Sequence, residues 1–199
     1  MPRSFLSLGA AAIITLSVIV TLDSGARSAA AAQSRNPLTG GRPGIRPAPA
    51  WRNVSWLNTT DGRPVTLASL RGQVVLLNFW TFTCWNCAGA LPSLVEFDNR
   101  YRPQGLTVIG IHSPEFPPYG GEHDRDNVAR ALQQHHIEYP NAQDNDHATW
   151  DLYQIRFWPS FVLIDRRGNI RYEGVGEFHR GDPTHLEWET RIRTLLADE

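Results

Sequence analysis

The chain has no lysine. All 19 of its basic residues are arginine, set against 20 acidic ones for a net charge of -1. Phosphate backbones are bound by a basic excess, so this balance argues against nucleic acid as a partner. The missing lysine reads as compositional bias in the coding sequence, in preference to a special use of guanidinium chemistry. Cysteine is nearly absent too: there are 2 in 199 residues, and they lie three apart. Small disulfide scaffolds carry many cysteines, and a bridge stabilises most when it closes a long loop. Cys84 and Cys87 therefore point to chemistry and away from a structural staple. No internal repeat is visible. With 7 Trp and 8 Phe, 41% of the chain is hydrophobic, enough for one compact core. A single domain plus a leader suits this length, given roughly 100–200 residues per domain.

Residues 1–32 read as a targeting segment. Arg3 supplies a short positive region, an apolar run extends from Phe5 to Leu22, and Ala30 to Ala32 offer small residues for cleavage. Two readings stand: a cleaved signal peptide, or an uncleaved N-terminal membrane anchor. Either would place the domain outside the cytoplasm, in the periplasm or at the outer face of a membrane. Residues 33–50 carry Pro37, Gly40, Gly41, Pro43, Gly44, Pro47 and Pro49 and read as an extended linker. The domain is expected from Trp51 to the C-terminus.

Within it, Val54 to Asn58 and Pro64 to Leu67, joined by Thr59-Thr60-Asp61-Gly62, predict a β-hairpin. Val74 to Trp80 is a continuous apolar run, as in a strand covered on both faces. A helical pattern follows from Trp85 to Tyr101, with Pro92 expected to kink it. Leu106 to Ile111 is a second apolar strand, so the three elements make a βαβ unit with parallel strands. The loop from His112 to Gly121 leaves the carboxyl end of that strand, the edge where sites gather in open α/β sheets. A helix is expected over Asp124 to His136 and a short one after Asp144-Asn145-Asp146. Ser160 to Asp165 and Ile170 to Glu173 flank a hairpin turn, with Gly174 and Gly176 breaking the second strand. Asp182-Pro183-Thr184 opens a last helix whose stripe is Trp188, Ile192, Leu195 and Leu196.

The cysteines sit where the first strand meets the first helix. A helix N-terminus carries partial positive charge and favours a thiolate. Disulfide exchange needs one exposed thiolate and a second thiol near enough to resolve the mixed disulfide. On that logic Cys84 attacks and Cys87 resolves. Trp85 and Asn86, between them, are placed to tune the pair.

At these residues the segment from Asn58 to Glu177 resembles a thioredoxin-fold protein of the redoxin or TlpA-like kind. The motifs are DGRPVTLASLRGQVVLLNFW, CWNC with Pro92 after it, LTVIGI, and a proline before SFVLIDRRGNI. The HSPEF loop, the Asp144–Trp150 stretch and Gly174–Glu177 resemble the extracytoplasmic thioredoxin-like domain of DipZ-type proteins more closely. The resemblance implies an α/β thioredoxin-like fold, a central mixed β-sheet flanked by helices, here with an N-terminal β-hairpin extension. It implies a cis Pro159 facing the cysteines, against the alternative of a trans proline opening an edge strand. Trp80 and Trp158 then either wall the site or belong to the core. Two departures stand out: Asn78 replaces the buried Asp of thioredoxins, and Ala90 replaces the Glu that many TlpA-like reductases carry after the pair. Glu115 and His112 become the candidate proton acceptors, against their being ordinary loop residues.

The resulting expectation is an exported thiol–disulfide oxidoreductase with no bound cofactor beyond the redox-active Cys84–Cys87 disulfide. Its partners would be thiols or disulfides of exported proteins, with a membrane thiol carrier as electron source. Two rivals use the same cysteines. A redoxin-type peroxidase would draw on Thr81 and Thr83. A metal-binding module would pair the cysteines with His179 and His185 for zinc, or with a loop histidine for copper.

Overall fold

Seven consecutive side chains, Val74 to Trp80, are buried. In the computed structural model, which describes Met1 and residues 45–52, 54–115 and 121–198, this run is the middle of a mixed sheet. Its described strands are β1 (Arg46–Pro47), β2 (Ser55–Leu57), β3 (Val74–Trp80), β4 (Leu106–His112), β5 (Asn141–Gln143), β6 (Ser160–Ile164) and β7 (Asn169–Val175). The described helices are α1 (Trp85–Tyr101), α2 (Arg125–Gln134), α3 (Ala148–Leu152) and α4 (Pro183–Ala197). The spatial order is β1-β7-β6-β3-β4-β5-β2. β3, β4 and β5 run parallel, and β6 lies antiparallel against β3. The expected β3-α1-β4 crossover is present, and the fold is thioredoxin-like.

Side chains of a strand alternate between faces, and the core divides accordingly. Val74, Leu76 and Trp80 join Leu91, Leu94 and Phe97 of α1, Val128 and Leu132 of α2, and Trp188, Ile192 and Leu195 of α4. Val75, Leu77 and Phe79 join Trp56, Leu67, Trp150, Tyr153 and Ile155 on the opposite face. Full burial of one such side chain contributes about 1.5–3 kcal/mol, so the two clusters hold β3 firmly in place. Helix α1 runs through Pro92 as one element. Asp182 caps α4, accepting from the His185 amide at 2.7 Å with Pro183 at the first helical position. Among the described residues no helix is long and apolar enough to cross a membrane.

Three expectations are corrected. The N-terminal hairpin does not form. β2 pairs antiparallel with β5, Trp56 opposite Ala142, while Thr60–Gly62 and Ala68–Leu70 are short 3-10 turns and residues 64–67 form no strand. Asn58 and Asp61 take left-handed geometry (φ 53° and 56°), which turns the chain away, and Pro64 brings no N–H to a ladder. Second, the sheet takes in part of the expected linker. Arg46 and Pro47 pair with Ile170 and Asn169, Arg46 meets Glu173 at 2.6 Å, and the Tyr153 hydroxyl donates to the Pro49 carbonyl at 2.7 Å. Third, Gly174 does not break β7. A Cβ there would lie 2.6 Å from the Trp188 ring, so the glycine lets α4 close on the strand. The leader expected at 1–32, Met1 apart, and the linker up to residue 44 lie outside the described residues.

One glycine bears on the site directly. A Cβ on Gly110 of β4 would lie 1.9 Å from Asn141 Oδ1 and 3.0 Å from Trp80 Nε1, the two atoms of a buried 3.0 Å hydrogen bond. Gly110→Ala is expected to break that bond and strand both groups, costing about 2–3 kcal/mol in denaturant unfolding.

Candidate active site

The chain leaves β3 through Thr81, Phe82 and Thr83 and enters α1 at Cys84, whose backbone is extended (φ -76°, ψ 112°). Cys84 is the N-cap of α1. Its sulfur accepts the Cys87 amide at 3.3 Å, where a serine or aspartate oxygen usually stands. The first turn holds no acidic residue, so the helix end keeps its partial positive charge. Both cysteines are free thiols. Cys84 is half-buried, whereas Cys87, one turn along, is 1% exposed and packs into the α1 side of the core.

That difference separates their chemistry. The Cys87 thiol donates to the Cys84 sulfur and, with the Cys87 and Asn86 amides, outweighs partial burial; the Cys84 pKa is lowered to about 7. Burial pushes the Cys87 thiol far up, and its role as donor to Cys84 adds to this, while the Thr81 backbone pulls modestly the other way. The Glu115 charge raises both thiols.

The remaining expected site residues divide into surface and core. Trp85 is 86% exposed beside Cys84, and the Asn86 side chain is exposed as well, so Asn86 acts on the sulfur through its amide. The Trp158–Pro159 peptide is cis. Pro159 is buried, and its carbonyl accepts the Gly176 amide at 3.0 Å. Trp158 is half-buried, packs tilted against Trp150 at 4.2 Å between ring centroids and donates to the Ser113 carbonyl at 2.9 Å. Asp144 holds Trp150 in place by capping α3, accepting the Thr149 and Trp150 amides at 3.0 and 2.9 Å. Phe157, 63% exposed, extends this surface. Trp80, in contrast, is fully buried and bonded to Asn141. It belongs to the core, with no face left to wall a site.

The two proton-acceptor candidates also separate. His112 is fully buried, edge-on to Trp80 and stacked on Phe82. Burial lowers its pKa to about 4 against the opposing charge of Glu122, so the ring is neutral at neutral pH. Its Nε2 lies 3.3 Å from the Thr81 hydroxyl and 3.4 Å from the Phe82 amide. Glu115 is half-buried, and its charge acts on both sulfurs.

The sequence reading missed a third group. Glu122 is fully buried. Its Oε1 accepts from the Thr81 hydroxyl at 2.5 Å and from the Thr83 hydroxyl, and its Oε2 accepts the Glu115 amide at 2.7 Å. A glutamate in a glycine-rich loop shows nothing of this in its local pattern. Glu177 was also passed over. Its carboxylate fills the space that a Cβ at Gly89 of α1 would take, with Oε1 2.0 Å from that point, and meets His179 at 2.8 Å. Arg180 next to it reaches Glu96 at 2.8 Å and the Pro92 carbonyl at 3.1 Å.

For metal, His185 lies buried and stacked on Phe97 at 4.7 Å, away from solvent. Among the described residues no three His, Cys, Asp or Glu side chains assemble into a group that could hold an ion.

A parallel-centred mixed sheet, a C-x-x-C capping the helix after its central strand, and a cis-proline before β6 define the thioredoxin-like class of redox folds. Within it the chain belongs to the AhpC/TSA family, whose profile matches residues 47–173. It is 43% identical over 152 residues to the protein DipZ of Mycobacterium tuberculosis, covering 76% of this chain and 21% of DipZ. It is 29% identical over 147 residues to the thiol-disulfide oxidoreductase YkuV of Bacillus subtilis, covering 72% of this chain and 89% of YkuV. Among solved structures it is similar to a thioredoxin-like protein in the oxidised form, with a TM-score of 0.64 at 26% identity, covering 77% of this chain and 96% of that one.

Reduced protein is expected to form one thiolate with a midpoint near 7, read by ultraviolet thiolate absorbance, with Cys87 unreactive to alkylation. The linkage signs differ. The pKa of Cys84 falls on folding, so its stabilisation is complete above the ordinary thiol value of about 8.5 and is lost as pH falls through about 7. The pKa of Cys87 rises, so its contribution is complete below that ordinary value and is lost as pH climbs past it. Denaturant stability of the reduced form should therefore peak in the ordinary thiol range and decline on both sides.

Proposed function

We propose that this protein is an exported thiol–disulfide oxidoreductase acting on cysteines of other extracytoplasmic proteins. The observation that carries the reading is the contrast between an accessible Cys84 sulfur, acidified to about 7, and a buried Cys87 whose thiol is held protonated. A thiolate attacks best when its pKa lies near the ambient pH.

In the reducing direction the Cys84 thiolate attacks one sulfur of a substrate disulfide. A mixed disulfide forms and one substrate thiolate leaves. Cys87 then gives up its proton and attacks the Cys84 sulfur. The Cys84–Cys87 disulfide forms, the second substrate thiolate leaves, and two electrons have passed from the pair to the substrate. Oxidation of a substrate dithiol is the reverse. Glu115, whose charge reaches both sulfurs, is the acceptor for the Cys87 proton. His112, neutral and engaged with Thr81 and Phe82, is set aside. Trp85, Asn86 and Trp158 form the surface against which the substrate segment lies, with Phe157 beside them and the buried cis Pro159 fixing the course of the backbone after Trp158. No bound cofactor is required, and a membrane thiol carrier would restore the reduced pair. The similarity to YkuV, named a thiol-disulfide oxidoreductase, supports the activity. The apolar run in the leader supports export, as does the resemblance of the HSPEF loop and of Gly174–Glu177 to the extracytoplasmic domain of DipZ-type proteins.

The peroxidase alternative needs a threonine hydroxyl free at the sulfur. Thr81 is fully buried, and both Thr81 and Thr83 donate to Glu122, which favours exchange.

Cys84→Ala is expected to abolish reduction of insulin disulfides, and Cys87→Ala to accumulate mixed disulfides visible on non-reducing gels. Full turnover by the Cys84 variant would overturn the mechanism. Titration of the pair against glutathione then assigns direction: a low potential marks a reductase, a high one an oxidase. The mass of the protein recovered from outside the cytoplasm tests the leader, cleavage after Ala32 against an intact N-terminus.

A further inference from the structure

Burying a carboxylate is costly unless donors surround it, and the donors to Glu122 include the Thr81 and Thr83 hydroxyls and the Glu115 amide, from two separate segments. Thr81 and Thr83 belong to the turn that delivers Cys84, with the Cys84 amide donating back to the Thr81 carbonyl at 3.3 Å. The Glu115 amide belongs to the loop after β4. One carboxylate group thus bridges the residue next to Cys84 and the backbone of Glu115. The loop is tied on its other side as well: the Ser113 amide donates to the Trp80 carbonyl at 3.0 Å, and the Ser113 carbonyl accepts from Trp158.

We propose that Glu122 is a positioning residue whose buried carboxylate clamps the Thr81–Thr83 turn to the loop bearing Glu115, holding the Glu115 carboxylate against the cysteine pair. The clamp acts through Glu115. Among the charged groups around the pair, Glu115 acts on it through its charge from the loop after β4, Glu177 with His179 lies against Gly89 of α1, and Glu122 holds the Thr81–Thr83 turn beside neutral His112. Of these the Glu115 charge opposes the Cys84 thiolate. The clamp therefore keeps the nucleophile less acidic than the helix end alone would make it. It also keeps a carboxylate at hand for the Cys87 proton.

The inference rests on the oxidoreductase reading only in taking Cys84 as the attacking thiol. Its test is the acidity of Cys84, measured by the pH dependence of iodoacetamide alkylation of the reduced full-length protein. Failure of insulin reduction would not be confused with failure of the clamp. Glu115→Gln should lower the Cys84 midpoint from about 7, giving roughly three-fold faster alkylation below that midpoint. Glu122→Ala should produce the same downward shift by releasing Glu115, and the double variant should move no further. Glu122→Gln should retain the wild-type midpoint, because the threonine hydroxyls can turn to accept from its amide while its carbonyl oxygen keeps the Glu115 N–H. If Glu122→Ala does not fold, Thr83→Val, at an exposed position, loosens the same clamp and should shift the midpoint downward. An unchanged or raised midpoint in the variant that folds would overturn the proposal. So would an undiminished Glu122→Ala shift in the Glu115→Gln background, or a Glu122→Gln shift as large as that of the alanine.

Discussion

One turn of helix separates a sulfur that water reaches from one it does not. The hydrogen bonds from the Cys87 amide and thiol to the Cys84 sulfur depend on that turn starting at Cys84. The turn starts there because β3 ends at Trp80 and a three-residue link supplies the change of direction. β3 in turn can stop at one place because both of its faces are filled, one by α1, α2 and α4 and the other by Trp56, Trp150 and Tyr153. The acidity of a single thiol thus depends on the packing of a whole sheet, which fixes a helix end to within one residue.

Around this point the fold supplies polar support from three directions. Glu122 fastens the turn before the cysteines. Asp144 caps α3 and sets Trp150 under Trp158, on the side of the cis-proline. Glu177 and Arg180, following β7, lie along α1. A redoxin-type peroxidase would draw on a threonine hydroxyl near its reactive sulfur. Here the two threonines are already committed to a carboxylate. Membership of the AhpC/TSA family and a disulfide-exchange site are therefore compatible: the fold is shared, and the polar groups next to the sulfur are spent differently.

How much of this was legible in the sequence follows from the range of the forces involved. β3, β4 and α1 were readable to within a residue because a solid apolar run and a helical period are local signals. Asp182-Pro183 marked α4 for the same reason. The cysteine pair, and the order of attack proposed for it, came from spacing and helix electrostatics. What escaped depends on contacts between distant segments. Ser55–Leu57 is extended, as the hairpin reading expected, but it pairs with the open edge of β5, and nothing within residues 54–67 names that partner. Arg46–Pro47 looked like linker because proline and glycine counts carry no knowledge of Glu173. Gly174 looked like a breaker and is a seat for Trp188. Trp80 and Trp158 were indistinguishable as aromatic residues beside the site, and only packing sends one inward. Glu122 was invisible because burial of a carboxylate is decided by what folds over it.

Seven tryptophans would ordinarily make the fluorescence of such a domain hard to interpret. Burial simplifies it. Trp56, Trp80, Trp150 and Trp188 are buried, Trp51 and Trp158 are half-buried, and Trp85 alone among them stands almost wholly in water. It is also the residue directly bonded to Cys84. Its emission lies at the red edge of the protein's spectrum and next to the atoms whose oxidation state changes, since thiolates and disulfides quench indoles differently. The molecule carries its own optical gauge of the electron pair it holds.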